Sequence, residues 1–299
     1  MSQSPPHLNL LKTINSVSFV KHKFSDLLKS NGFIHIPAPL ILESSTSLND
    51  DLADESSALK FKTQNGDKFE VFQSLAKWKR DALCFYCIDK LYTDMVAIRR
   101  METLSPLYSY IVDQWDWEIR VPENVNDLNE NYNNNKNRNT IQNMFCEEER
   151  ESKIAKEKKA IFLTGIGHKL KSGQPHDIRA VDYDDWNLNG DIIFYSDPLE
   201  TAIEMSSMGI RVDENSLKEQ LEISGKSKSG KNDVFTPFQK KIIDQKIPLS
   251  VGGCIGQSRV AMFMLERKHI AEVQVGTFSQ KFQKKWRKEG VDILYSFDG

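Results

Sequence analysis

The sequence predicts an α+β fold in which helices pack on an antiparallel sheet. Residues 58–64 and 68–73 flank Asn65-Gly66-Asp67, a short-range signal for an antiparallel hairpin near the start of the chain, which argues against a Rossmann arrangement. Strand-like and helix-like segments then follow in mixed order instead of alternating. With 39% apolar and 10% aromatic residues, a chain of 299 residues can build a sizeable core, which we read as one domain over residues 1–299.

Each element has its own signal. Leu10, Leu11, Ile14, Val17, Phe24, Leu27 and Leu28 recur at helical spacing, and Asn31-Gly32 supplies a stop. Residues 33–42 read as a strand interrupted by Pro37 and Pro39, and Ser44 to Asp51 as a polar loop over a pocket. Leu75 to Leu91 is expected to be helical and Leu107 to Ile119 extended. Ile161 to Thr164 and Ile192 to Tyr195 read as short buried strands, and residues 257–268 as a helix. An Asn-rich, apolar-poor stretch over about 122–143 reads as a flexible insertion, and the basic 225–232 as a solvated surface loop.

Composition excludes several classes of function. Lys plus Arg number 40 against 42 Asp plus Glu, so there is no basic excess for gripping a nucleic-acid backbone, and no nucleic-acid partner is expected. No apolar run reaches the length of a membrane span, and the start of the chain lacks a signal pattern, so a cytoplasmic protein with no membrane partner is expected. Four cysteines do not make a disulfide framework. Cys84 and Cys87 have CxxC spacing, but their apolar surroundings suit buried thiols on a helix better than a metal or redox pair.

The segment Gly252-Gly253-Cys254-Ile255-Gly256-Gln257-Ser258-Arg259 leads into the apolar residues 260–265. It reads either as a nucleotide site, with glycines admitting a polyanion, a helix N-terminus offering free N–H groups and Arg259 adding a cation, or as an ordinary glycine turn before a core helix. Four further polar segments stand in the chain at residues 74–80, 112–118, 183–186 and 204–211. In the second, Gln114-Trp115-Asp116-Trp117 would set the two polar residues on one strand face and the tryptophans on the other.

In order, these five segments resemble the ammonia-dependent aspartate–ammonia ligases, which carry a class II aminoacyl-tRNA synthetase-like catalytic core, and the likeness runs from about Ile14 to about Val275. The resemblance implies that ATP activates the side-chain carboxylate of L-aspartate as β-aspartyl-adenylate with loss of pyrophosphate. Ammonia then displaces AMP to give L-asparagine. Positioning and charge neutralisation carry such chemistry. On the matching positions, Arg99, in preference to the adjacent Arg100, and Arg259 would hold the phosphates, with Gly253, Gly256 and Glu204 also at ATP. Glu204 and Asp191 would be Mg²⁺ ligands, although Asp191 also suits a turn cap after Asn189-Gly190. Lys79 and Arg211 would meet substrate carboxylates, with Ser74 and Ser207 as neutral donors. Gln114, Asp116 and Asp184 would face the α-amino group and nearby atoms. Asp50, or Asp51 beside it, would hold ammonium or take its proton.

The sequence departs from the family pattern in four places: it is shortened around 122–143 and after Trp186, Cys254 stands where the family carries a third glycine, and the Lys-rich tail from Gln280 on diverges. Ser2, in place of a catalytic N-terminal cysteine, points to free ammonia rather than glutamine as nitrogen donor. The resemblance also implies a homodimer. The alternatives are a stand-alone class II synthetase paralogue and a catalytically dead nucleotide-binding relative.

Overall fold

A computed structural model describes residues 6–50, 58–122, 147–170, 173, 179–225, 235–276 and 278–295. The Asn-rich stretch from residue 123, the basic stretch from residue 226 and Asp51 lie outside the described residues. The helices are α1 (Pro6–Ser30), α2 (Ala76–Tyr86), α3 (Glu147–Lys158), α4 (Glu214–Ile223), α5 (Pro237–Ile243), α6 (Gln257–Met264) and α7 (Gln280–Lys288). The strands are β1 (Ile34–His35), β2 (Ile41–Glu43), β3 (Lys60–Lys62), β4 (Lys68–Val71), β5 (Lys90–Ile98), β6 (Ile111–Arg120), β7 (Ala160–Thr164), β8 (Asp184–Ser196), β9 (Thr201–Arg211) and β10 (Ser250–Gly256).

Among the described residues, a seven-stranded sheet has the order β1-β5-β6-β10-β9-β8-β7, and β2-β4-β3 make a small second sheet. Every pairing in the large sheet is antiparallel except that of β1 with β5. The hairpin expected around Asn65-Gly66 is β3–β4, with Gly66 at φ +91°, a conformation that favours glycine. Gly32, at φ +82°, ends α1 as its sequence implies.

Several boundaries differ from the sequence reading, and residues 33–42, expected as one interrupted strand, hold β1 and the start of β2, which lie in different sheets. α2 stops at Tyr86, because Cys87 turns left-handed (φ 52°) and the N–H groups of Cys87 and Ile88 return to the carbonyls of Cys84 and Leu83; Leu91 therefore lies on a strand. The apolar run Leu83 to Ile88 could not reveal that break, since a buried strand and a buried helix share it. Cys87 is consequently exposed, while the partly buried Cys84 donates its thiol proton to the Lys246 carbonyl at 3.4 Å. β6 starts at Ile111, after a turn in which Ser105 Oγ accepts from the N–H groups of Leu107 and Tyr108. The strand foreseen at 192–195 is the end of the longer β8, and α6 ends at Met264. Most consequentially, Gly252, Gly253 and Gly256 form no turn: they lie on β10, between β6 and β9.

One face of the large sheet is apolar and packs against α1 and α6. Trp115, fully buried, stacks on Phe24 of α1 at 4.3 Å and donates its indole N–H to Ser25 Oγ. Trp117, Ile255, Val260 and Leu28 complete that layer. The predicted alternation on β6 holds, for Gln114 and Asp116 point the other way and line a cavity. Not all of α1 faces inward: Leu11, Phe19 and Leu27 are exposed, as is Ile34 on β1 at the sheet edge.

Candidate active site

Strand register assembles the polar face. In one row, Thr93, Asp116, Cys254, Ser207 and Asp191 sit side by side on β5, β6, β10, β9 and β8; in the next, Leu91, Glu118, Gly252, Gly209 and Asn189 do the same. Residues up to about 160 positions apart thus share one surface. Above it lies a cavity of about 410 Å³, into which α2 and the loop of Asp50 also contribute.

Two buried ion clusters form the floor. Arg211 donates through Nε and Nη2 to both oxygens of Glu118, at 2.9 and 2.6 Å, and through Nη1 to Asp184; all three are almost fully buried. Burial alone would push Glu118 up, but the charge and hydrogen bonds of Arg211, with Lys79 and Ser250, hold its carboxyl below the usual range. Burial does prevail at Asp184, whose carboxyl is raised despite Arg211 and Arg179. Gly252 and Gly209, paired across β10 and β9, make room for this cluster. A Cβ at Gly252 would stand 1.7 Å from Glu118 Oε2, and one at Gly209 would stand 2.7 Å from Asp184 Oδ1. The first glycine of the octapeptide thus serves buried ions, not an approaching polyanion.

Lys79 reaches from α2 to Asp116 Oδ1 at 2.6 Å and to the Gly253 carbonyl at 2.5 Å. Asp116 Oδ2 is buried and has no partner among the described residues, leaving an acceptor at the cavity wall. Lys79 and Arg211 therefore both line the cavity, as expected, but each is already engaged by a carboxylate that the sequence reading had set aside for the α-amino group or had not singled out.

The nucleotide candidates gather around β10 and α6. Arg259 lies over the Tyr108 ring at 5.2 Å, donates to the Glu204 carbonyl at 2.8 Å and stands 3.7 Å from the Glu204 carboxylate; burial lowers its guanidinium, but Glu204 together with Tyr108, Cys254 and Glu102 more than offsets this and raises it. Arg99 lines the same cavity, with its Nε buried and unpartnered among the described residues; Arg100 is exposed and does not line it. Glu204, Gly253, Gly256, Ser74, Ser207, Gln114, Asp184 and Asp50 line it too, the last on a buried loop.

Two expectations are modified here. One N–H of the α6 N-terminus, that of Ser258, is already taken, by Asp113 Oδ1 at 3.1 Å. Asp191, expected beside Glu204 at the metal, is not among the residues lining the cavity, and its Oδ2 receives Arg179 at 2.5 Å. Arg179, which also donates to Ser207 Oγ at 2.8 Å, lines the cavity, as does Asp113, and Glu118 is the buried partner of Arg211; the sequence reading assigned none of the three a role. Cys254 lines the cavity in place of glycine, its thiol pushed up to about 11 by burial and by Asp116.

No helix among the described residues is long and apolar enough to cross a membrane. Solved structures with the same fold include asparaginyl-tRNA synthetase of Entamoeba histolytica in complex with asparaginyl-adenylate (TM-score 0.61, 12% identity, 89% of this chain and 66% of that one). Asparaginyl-tRNA synthetase of Pyrococcus horikoshii is comparable (TM-score 0.60, 11% identity, 91% and 68%). At such identities the likeness establishes the class II synthetase fold alone. Sequence relatives are closer. An aspartate–ammonia ligase of Malacoplasma penetrans is 38% identical over 328 residues, covering 96% of this chain and 99% of its own length. One of Ruminiclostridium cellulolyticum is 40% identical over 329 residues, covering 97% of each. Both alignments are longer than the 299 residues of this chain, so the relatives carry segments that it lacks. The sequence pattern of the AsnA family, described as aspartate-ammonia ligase, matches residues 11–141 and 139–290, and the chain belongs to that family.

Proposed function

We propose that this cavity makes L-asparagine from L-aspartate, ammonia and ATP through a β-aspartyl-adenylate. The observation that carries the reading is the division of charge within one cavity. Arg259 stands by Glu204, with Arg99 lining the same cavity, while Lys79–Asp116 and Arg211–Glu118–Asp184 stand along the floor. A polyphosphate suits the first group. A zwitterion with a second carboxylate suits the second, with Asp116 Oδ2 and Gln114 accepting from its α-ammonium and Lys79, Arg211 and Arg179 offering N–H groups to its carboxylates, supported by Ser74 and Ser207.

In the first step the substrate's side-chain carboxylate oxygen bonds to the α-phosphorus and the bond to the bridging oxygen breaks, releasing pyrophosphate. Arg99 and Arg259 hold the phosphates and offset the growing charge. Ammonia then bonds to the acyl carbon as the bond to AMP oxygen breaks, and Asp50, on its buried loop beside Tyr183, takes the proton that nitrogen sheds. The donor set fits Mg²⁺ at Glu204, whose carboxylate is 40% exposed, because Mg²⁺ takes one or two protein carboxylates and fills its shell with phosphate and water. When bound, it would draw charge from the phosphate oxygens. The exposed apolar residues of α1 and β1 support a homodimer, which sedimentation of the same preparation reads.

The test follows asparagine, AMP and pyrophosphate together from L-aspartate, ammonium, ATP and Mg²⁺. Equal yields of the three are expected, falling about 100-fold or more in Arg259→Ala with the fold intact by circular dichroism. AMP formed only when tRNA is added, or no turnover with ATP still bound, overturns the reading.

A further inference from the structure

Asp113 lies next to Gln114 on β6 but faces the layer of α1 and α6, where it draws three distant segments together. Its Oδ1 accepts the Ser258 N–H of α6 at 3.1 Å and lies 3.5 Å from Gln274 Nε2; its Oδ2 accepts Lys21 of α1 at 2.7 Å. Gln274 further donates to Ser258 Oγ at 3.3 Å and to the Ile111 carbonyl at 3.1 Å. The residue at the usual capping position, Gly256, has no side chain and makes no cap. A carboxylate 145 positions away in sequence therefore caps the turn on which Arg259 rides. Asp113 and Ser258 both line the cavity that holds Arg259, so the cap faces the ligand space as well as the helix.

A carboxylate so close to a phosphate site has two opposed effects. It orders the first turn of α6, and it repels an incoming polyanion unless its charge is balanced. Lys21, 33% exposed on α1, supplies the balance. We propose that Asp113 is a positioning residue for Arg259 and that Lys21 cancels its charge, so that the nucleotide phosphates meet the guanidinium and not a bare carboxylate. This rests on the reading of Arg259 as a phosphate ligand.

The experiment measures the ATP dissociation constant by calorimetry, and kcat and both KM values, for wild type, Lys21→Met, Asp113→Asn, the double variant and Asp113→Ala, with melting temperatures alongside. Lys21→Met is expected to weaken ATP about fivefold, less in high salt, and to leave the aspartate KM unchanged. The double variant should recover ATP binding to within about twofold of wild type, since Asn at 113 keeps the cap oxygen without the charge. Asp113→Ala, which removes the cap, should lower kcat about tenfold while Asp113→Asn does not. ATP binding unchanged in Lys21→Met, a double variant no better than Lys21→Met, or kcat losses in Asp113→Ala and Asp113→Asn alike overturn the proposal. A wild type that binds ATP but makes no asparagine overturns only the ligase reading, because the binding comparisons still stand. A wild type that does not bind ATP overturns both.

Discussion

Replacing Gly252 by alanine tests whether the Arg211–Glu118–Asp184 cluster is a fixed part of the sheet. The added methyl would stand 1.7 Å from Glu118 Oε2 and 2.1 Å from Arg211 Nη2, about half a normal contact distance, so both side chains must retreat. Neither has room to do so while staying paired, for Glu118 is fully buried and Arg211 only 2% exposed. Separating such a pair costs about 3–5 kcal/mol, since a buried charge is left without its partner. For a chain of this size that corresponds to a fall of about 6–15 °C in melting temperature. The assay is thermal unfolding by circular dichroism at neutral pH, run also in a Glu118→Ala background. There the carboxylate is already gone, and the second substitution should cost under about 1 kcal/mol. A Gly252→Ala protein melting within about 1 °C of wild type, or two costs that add in full, would refute the reasoning.

Two further outcomes follow from buried titratable groups. Burial and Lys285 depress His269 to about 4, against an ordinary value near 6.5, so between these pH values the unfolded chain binds a proton that the folded one does not. Stability should therefore fall by up to about 3 kcal/mol as pH drops through that window. His269→Asn, which keeps an acceptor for the Ala271 N–H, should flatten the fall, and an unchanged pH profile of melting temperature would count against the buried neutral ring. Cys254, its thiol pushed up to about 11, should resist iodoacetamide at pH 8 while exposed Cys87 is alkylated; peptide mass mapping showing Cys254 modified first would contradict this.

Much of the polar face was legible in the sequence. Period-two alternation at Gln114-Trp115-Asp116-Trp117 identified which side chains turn to the cavity, and Asn65-Gly66 marked the hairpin. Other features were not. The glycines of residues 252–256 read as a polyanion site or a turn because glycine signals permissive backbone, whereas they lie on a strand and the missing Cβ atoms of Gly252 and Gly253 accommodate neighbours on β6 and β9. The sequence reading preferred Arg99 to Arg100, and the end of β5 turns Arg99 into the cavity and leaves Arg100 exposed.

The sequence by itself determined the α+β class, the family likeness and most of the residues that line the cavity, because those depend on residue type and local periodicity. Only the tertiary structure decided the pairings: Lys79 with Asp116, Arg211 with Glu118 and Asp184, Asp191 with Arg179, and Asp113 with the start of α6. The physical reason is that an ion pair depends on strand register and on the space beside it. Both are set by segments as far apart as Asp113 and Ser258, whose meeting no local pattern encodes.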